Sequence, residues 1–148
     1  MKKFKFLNLV LIFFLISCGT VPLTGRKQFS VIPESQMISL ANDSYAQVLR
    51  ENEMSNNQQY IDQVRRVGTR ISSAVEDYFQ QEGMQEQLKG YEWEFNVIKS
   101  DEKNAWCMPG GKIAFYEGIM PICQDDNGVA VVMAHEIAHA VADRKSVV

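Results

Sequence analysis

The most informative stretch of this chain runs from Val129 to Arg144 and reads V-A-V-V-M-A-H-E-I-A-H-A-V-A-D-R. It contains no Gly or Pro, is rich in Ala and Val, and ends in a basic residue, which predicts a buried helix. The only two histidines of the chain, His135 and His139, lie in this helix four residues apart. Side chains at that spacing project from one face of a helix, so the two imidazoles can converge on one metal ion.

Glu136 follows the first histidine and points away from the pair, yet it can reach a water molecule on the metal. The H-E-x-x-H spacing is typical of zinc peptidases, in which the glutamate is the general base. An ordinary core helix with two histidines is the alternative. Every residue between 132 and 141 other than these three is uncharged, and an ionised carboxylate among apolar side chains is costly without a partner. We therefore predict a metal site.

Residues 1–17 have the composition of a secretory signal. Three lysines precede an apolar run from Leu9 to Ile16 that is too short to cross a bilayer. The run ends in L-I-S-C, which resembles the lipobox of bacterial lipoproteins, where the cysteine is lipidated and becomes the first mature residue; a plain cleavage site is the alternative. We predict a lipid anchor at Cys18, a tether over residues 18–30, and a location in the bacterial cell envelope, on the periplasmic side of the outer membrane.

Charge limits the classes of partner. Without the three lysines of residues 1–17, 12 basic side chains remain against 18 acidic ones, and no basic stripe is present. This balance argues against nucleic-acid binding. A membrane would therefore be reached through the lipid and not through a polybasic patch. Cys107 and Cys123 could form a disulfide in an oxidising compartment or remain two buried thiols, and the sequence leaves both open.

Hydrophobic periodicity predicts an α+β fold. Apolar residues at three- and four-residue spacing indicate a helix from Pro33 to about Glu53 and a second from near Asn57 to about Gln81. Alternation over Gly90–Ser100 and the run Lys112–Tyr116 indicate two strands. We expect two long helices, a short antiparallel β-sheet or hairpin, and then the H-E-x-x-H helix.

Two stretches resemble a known family. N-A-W-C-M-P-G-G-K-I-A-F-Y-E-G-I-M (Asn104 to Met120) and A-V-V-M-A-H-E-I-A-H-A-V-A (Ala130 to Ala142) are similar to the envelope lipoprotein branch of the HtpX-like zinc metallopeptidases. That family also contains the CAAX prenyl endopeptidases and the mitochondrial Oma-type proteases. Segments Val21–Met37 and Arg65–Ile71 resemble the same branch, so the similarity covers nearly all of the chain after residue 17.

The resemblance implies the N-terminal half of a zincin-like fold and a gluzincin site. One Zn²⁺ per chain would be bound by His135 and His139, and Glu136 would activate the attacking water. An edge strand beside the cleft would pair with extended polypeptide substrates and so provide affinity with little sequence preference. The segment implied to bind substrate comprises Asn104, Ala105, Trp106 and Cys107. The implied activity is a metalloendopeptidase acting on misfolded or damaged envelope proteins.

One departure from the family pattern affects this prediction. The family's third zinc ligand is a glutamate on a later helix, and no Glu follows Glu136 here. Asp143 lies eight residues after His135, which is about 12 Å of helix and too far for one zinc ion. Spacing alone does not exclude Glu117, Asp125 or Asp126. We expect residues 31–148 to be an incomplete metallopeptidase domain; the alternative is a truncated, non-catalytic membrane-anchored lipoprotein that acts as a scaffold or binding module.

Overall fold

The computed structural model describes residues 33–142 and two short strands before them. The chain divides into two compact units, residues 1–33 and 34–148. In the first unit, β1 (Cys18–Thr20) pairs antiparallel with β2 (Lys27–Phe29). The signal peptide predicted for residues 1–17 and the side chain of Cys18 lie outside the described residues. Within the part of the chain that is described, no helix is both long and apolar enough to cross a membrane.

The second unit begins with two long helices, α1 (Glu34–Glu51) and α2 (Gln58–Gln81). The side chain of Asn57 caps α2, because its Oδ1 accepts a hydrogen bond from the Tyr60 N–H at 3.4 Å. The chain leaves α2 through Gly83, whose φ of 67° is unfavourable for other residues. Both predicted helices are confirmed, with ends that differ from the prediction by at most two residues.

A three-stranded sheet follows, built from β3 (Glu94–Ile98), β4 (Ala105–Met108) and β5 (Lys112–Tyr116) in the order β3-β5-β4. β4 pairs antiparallel with β5, whereas β3 pairs parallel with β5. The prediction of a purely antiparallel sheet is therefore wrong. The hairpin at Gly110 and Gly111, both at positive φ, makes β4 and β5 antiparallel. The parallel pairing arises because β3 lies beside β5, which runs in the same direction, and not beside β4.

Helices cover both faces of the sheet. After β5 come a 3₁₀ turn at 117–119, a short helix α3 (Met120–Cys123) and α4 (Asp126–Ala142). Successive side chains of β5 alternate between two apolar clusters. Ile113 and Phe115 pack with residues of α2 and α4, whereas Ala114 packs with Tyr45 of α1. α2 and α4 therefore share one face of the sheet and α1 occupies the other.

A buried polar contact fixes α1 on its face of the sheet. The Tyr45 hydroxyl donates to the Ile113 carbonyl at 3.0 Å and accepts from the Asn96 side-chain amide at 3.0 Å. Burial raises the pKa of Tyr45, so the hydroxyl stays protonated and keeps its donor. The contact orients α1 because a buried hydroxyl without these partners would be costly.

Candidate metal centre

The H-E-x-x-H motif lies in α4, whose first turn is capped by Asp125. Its Oδ1 accepts hydrogen bonds from the Asn127 and Gly128 N–H groups at 2.9 and 3.0 Å. Gly128 is required there, because a Cβ at this position would lie 1.9 Å from the Cys123 carbonyl oxygen. The predicted helix is confirmed, and the start of α4 is fixed by close packing against α3.

One side of α4 is held in the core. Its buried residues recur at helical spacing and are Val129, Met133, Ile137, Ala140 and Val141. Val129 and Met133 are fully buried, and each such side chain contributes about 1.5–3 kcal/mol through burial. This anchoring determines the rotation of α4 about its axis and therefore the direction in which the remaining face points.

The two histidines lie on the outer face of α4 with their rings close together. Both are exposed, their ring centroids are 4.5 Å apart, and the ring planes meet at 80°. The Nε2 atoms of His135 and His139 are 3.1 Å apart. Two nitrogens that bind one tetrahedral Zn²⁺ at about 2.0–2.1 Å lie roughly 3.3 Å from each other. The pair therefore fits a single zinc ion.

Glu136 is half-buried, and α4 packs against β4. The carboxylate of Glu136 lies close enough to Cys107 of that strand to act on its thiol electrostatically. Burial, and next the negative charge of Glu136, raise the pKa of the Cys107 thiol to about 12. The carboxylate therefore follows the first histidine directly in sequence and lies within electrostatic range of the edge strand.

The segment predicted to bind substrate forms β4 and the residue before it. β4 pairs with β5 alone among the described strands, so its other edge has no strand partner there. Ala105 and Cys107 belong to the cluster that includes α4, whereas Trp106 packs on Tyr45 on the opposite face. Asn104 is exposed, and its carbonyl accepts from the Tyr116 N–H at 3.0 Å. The fold brings this edge next to the motif helix; its role in substrate binding stays a prediction.

Cys107 and Cys123 are both free thiols. Burial raises the pKa of Cys123 as well, so neither thiol ionises readily at neutral pH. The sequence left a disulfide and two separate thiols open, and the structure has two separate thiols.

A third metal ligand is not found within residues 33–142, where no group of three or more His, Cys, Asp or Glu side chains is placed to hold a metal. Three carboxylates that spacing left open are engaged elsewhere. Asp125 caps α4, Asp126 accepts two hydrogen bonds from Arg66 at 2.7 and 2.9 Å, and Glu117 accepts one from Ser55. The Ser55–Glu117 contact joins residues 62 apart in sequence, so no local pattern could have predicted it. Asp143 lies outside the described residues.

Comparison with known proteins identifies the family. Residues 66–146 match peptidase family M48. The chain is 32% identical over 122 residues to the mitochondrial metalloendopeptidase OMA1 of Schizosaccharomyces pombe, which covers 82% of this chain and 34% of that protein. It is 26% identical over 138 residues to OMA1 of Saccharomyces cerevisiae, with 88% and 39% covered. The chain thus spans little more than a third of the length of these relatives.

These matches overturn the predicted location. Relatives from fungi, a plant and a fish are all named mitochondrial, so the prediction of a bacterial envelope lipoprotein is wrong. The prediction relied on the segment that ends at Cys18 and on a resemblance to an envelope lipoprotein branch, which the matched relatives do not confirm. The prediction of a metallopeptidase is confirmed at the level of the family. The family match over residues 66–146 and the 32% identity to the relative from Schizosaccharomyces pombe show that the chain belongs to peptidase family M48.

Proposed function

We propose that this chain is the zinc-binding part of an endopeptidase that hydrolyses peptide bonds, with a zincin-like arrangement of edge strand and motif helix. His135 and His139 are the two metal ligands that the chain supplies, and Glu136 is the general base. The observation that supports this most strongly is the 3.1 Å separation of the two Nε2 atoms, with a half-buried carboxylate beside them. Membership of the peptidase family supports the same reaction.

Zn²⁺, when bound, polarises the scissile carbonyl and lowers the pKa of a water molecule to about 7. Glu136 accepts the proton of the attacking water and then donates it to the amine that leaves. The side chain that carries this carboxylate is half-buried and lies within electrostatic range of β4. His135 and His139 would hold the metal ion through their ring nitrogens, and the helix that carries them orients the site.

The free edge of β4 is the proposed substrate-binding element, with Asn104, Ala105, Trp106 and Cys107 as its residues. An extended peptide placed along this edge forms main-chain hydrogen bonds, which depend little on sequence. Such pairing requires a segment without secondary structure of its own. We therefore propose misfolded or damaged polypeptides as the substrate class, since their segments are available in extended form.

A catalytic zinc normally takes three protein ligands, and residues 33–142 supply two. We propose that the third ligand comes from residues outside this range. The histidine pair alone would then hold the metal weakly, and the complete ligand set would hold it tightly.

The test is the Glu136→Gln variant. We expect cleavage of unfolded casein to fall by roughly 10²–10⁴-fold, because the general base is lost while both histidines remain. Bound zinc, measured by atomic absorption, should be unchanged. The matched control is Glu86→Gln, which removes a carboxylate from an exposed turn where its ion pair is with Lys89 at 3.7 Å. This control should cleave casein at the wild-type rate.

Two outcomes would contradict the proposal. Full activity in the Glu136→Gln variant would show that Glu136 is not the general base. A wild-type protein that neither binds zinc supplied in excess nor cleaves casein would instead support the alternative of a non-catalytic scaffold.

A further inference from the structure

The turn at 117–119, which follows β5, packs directly against the loop 99–104, which leads into β4. The Gly118 N–H donates to the Ser100 carbonyl at 2.9 Å. Gly118 has no room for a side chain, because a Cβ there would lie 2.2 Å from the Asp101 carbonyl oxygen. The position of the turn therefore determines the position of the loop.

One buried side chain holds this turn to a third segment of the chain. Ser55 lies between α1 and α2 and is 9% exposed. Its hydroxyl donates to a carboxylate oxygen of Glu117 and accepts from the Asn57 N–H at 3.1 Å. Its own N–H donates to the Val97 carbonyl of β3 at 2.8 Å. These three hydrogen bonds fix Ser55, so Glu117 is bonded to a partner that is itself held in place.

The same part of the chain sets the first residues of the substrate-binding edge. The Tyr116 N–H donates to the Asn104 carbonyl at 3.0 Å, which makes these residues a hydrogen-bonded pair. Such pairs alternate along antiparallel strands with pairs that exchange no hydrogen bonds. Ala105, which lies opposite Phe115, and Cys107, two residues later, belong to the second kind. The N–H and C=O groups of Ala105 and Cys107 therefore point away from β5, towards the free edge.

We propose that Glu117 is a positioning residue for peptide binding. Its hydrogen bond with Ser55 holds the turn at 117–119 and, through the turn, the loop that places Ala105 and Cys107. The inference rests on the proposed function, which places the substrate along this edge. Glu117 acts on the strand and not on the metal ligands, because α4 has its own cap at Asp125 and its own buried face.

The surroundings of Glu117 differ from those of an ordinary solvated turn carboxylate. Glu117 is half-buried, and its partner Ser55 is buried. Removal of the carboxylate leaves the Ser55 hydroxyl without its acceptor, which is costly at a buried position. A shift of the turn relieves this cost, and the loop and the start of β4 then shift with it.

The test compares Glu117→Ala with Glu117→Gln. Alanine removes the acceptor, whereas glutamine keeps a side-chain oxygen to which the Ser55 hydroxyl can donate. Affinity for an uncleaved extended peptide is measured by calorimetry in the Glu136→Gln background, with zinc in excess. We expect Glu117→Ala to weaken binding roughly tenfold, since a small displacement of positioning groups costs up to about 100-fold. Glu117→Gln should restore most of the affinity, and zinc content should be unchanged in both variants.

Two further measurements separate positioning from general loss of structure. With Glu136 intact, Glu117→Ala should raise KM for peptide cleavage and leave kcat nearly unchanged, as expected when only substrate binding is weakened. In hydrogen exchange followed by NMR, the amides of Tyr116 and Gly118 should exchange faster in Glu117→Ala, with the amides of α4 unaffected.

Ser55→Ala removes the donor without leaving an orphaned hydroxyl, so it provides the same test if Glu117→Ala does not fold. The matched control is Glu102→Ala, which removes an exposed carboxylate from the same loop and should change neither exchange nor affinity. Wild-type affinity in both Glu117→Ala and Ser55→Ala would overturn the positioning role while the proposed function stands. A loss that Glu117→Gln does not restore would also overturn it. A wild-type protein that binds neither zinc supplied in excess nor peptide would overturn both.

Discussion

Helices α2 and α4 pack on the same face of the sheet, yet their outer surfaces have opposite character. The outer surface of α2 is charged and polar, with Asp62, Arg65 and Arg66 among its exposed residues. Apart from Asp126 in its first turn and the motif glutamate, α4 has no such charges and instead exposes Val131 and the histidine pair with neighbouring alanines. Both helices bury valines completely, so the inner surfaces of both are apolar and packed in the core. The contrast is confined to the side that faces away from the core.

This contrast separates packing from function. The exposed charges of α2 are expected of an amphipathic helix that buries one apolar face and exposes the other face to water. Core burial and solvation do not explain α4, because a surface helix built only for packing would carry charged residues on its outer face. The residues that break the pattern are the ones that form the candidate metal centre. Local conflicts of this kind are expected where a site constrains the sequence.

The inner surfaces of the two helices give the largest expected effects on stability. Met133→Ala in α4 and Val64→Ala in α2 each leave a cavity at a fully buried position. We expect the methionine variant to lose about 2–5 kcal/mol of unfolding free energy in urea titrations. Gln80→Ala, at an exposed position of α2, should stay within about 0.5 kcal/mol of wild type. A loss for Met133→Ala no larger than that control would show that α4 is not anchored in the core.

A smaller effect is expected where the two helices meet at the surface. Arg66 of α2 forms a two-bonded ion pair with Asp126 at the start of α4, and their side chains are 54% and 37% exposed. The hydrogen bond from Arg66 lowers the pKa of Asp126. A depressed carboxyl pKa contributes stability above its unfolded value, about 3.9, and that stability disappears as pH falls through the folded value. Arg66→Gln should therefore lower the melting temperature slightly at pH 7 and lose that effect at low pH.

Arg65→Gln removes a neighbouring exposed charge of α2 and is the matched control for this pair. The Arg66→Gln effect should also shrink at high salt, because exposed ion pairs are screened. A difference in melting temperature that stays constant from pH 7 to pH 2 would mean that the pair does not link the helices.

Local patterns predicted the elements well. The periodic apolar residues of α1 and α2, the alternation in β3 and the uncharged run of α4 each carried enough signal to place a helix or strand. β4 was different, because the four residues A-W-C-M have no clear alternation and follow β3 through a loop. The parallel pairing of β3 with β5 depends on contacts between strands distant in sequence, which periodicity does not encode.

The site was predictable in part for the same reason. His135, Glu136 and His139 lie within five residues, so helix geometry alone brings them together. The approach of Cys107 to Glu136, and the capture of Glu117 by Ser55, join distant parts of the chain and needed the fold.

The central claim is that one turn of α4 binds a divalent ion through two imidazoles. Its most direct test is the zinc content of the purified protein at equilibrium with an excess of free zinc, compared with that of the His135→Ala variant. We expect one zinc per wild-type chain and a marked loss in the variant, with circular dichroism unchanged. Wild-type protein that is free of metal, or a variant that retains as much zinc as wild type, would contradict the account.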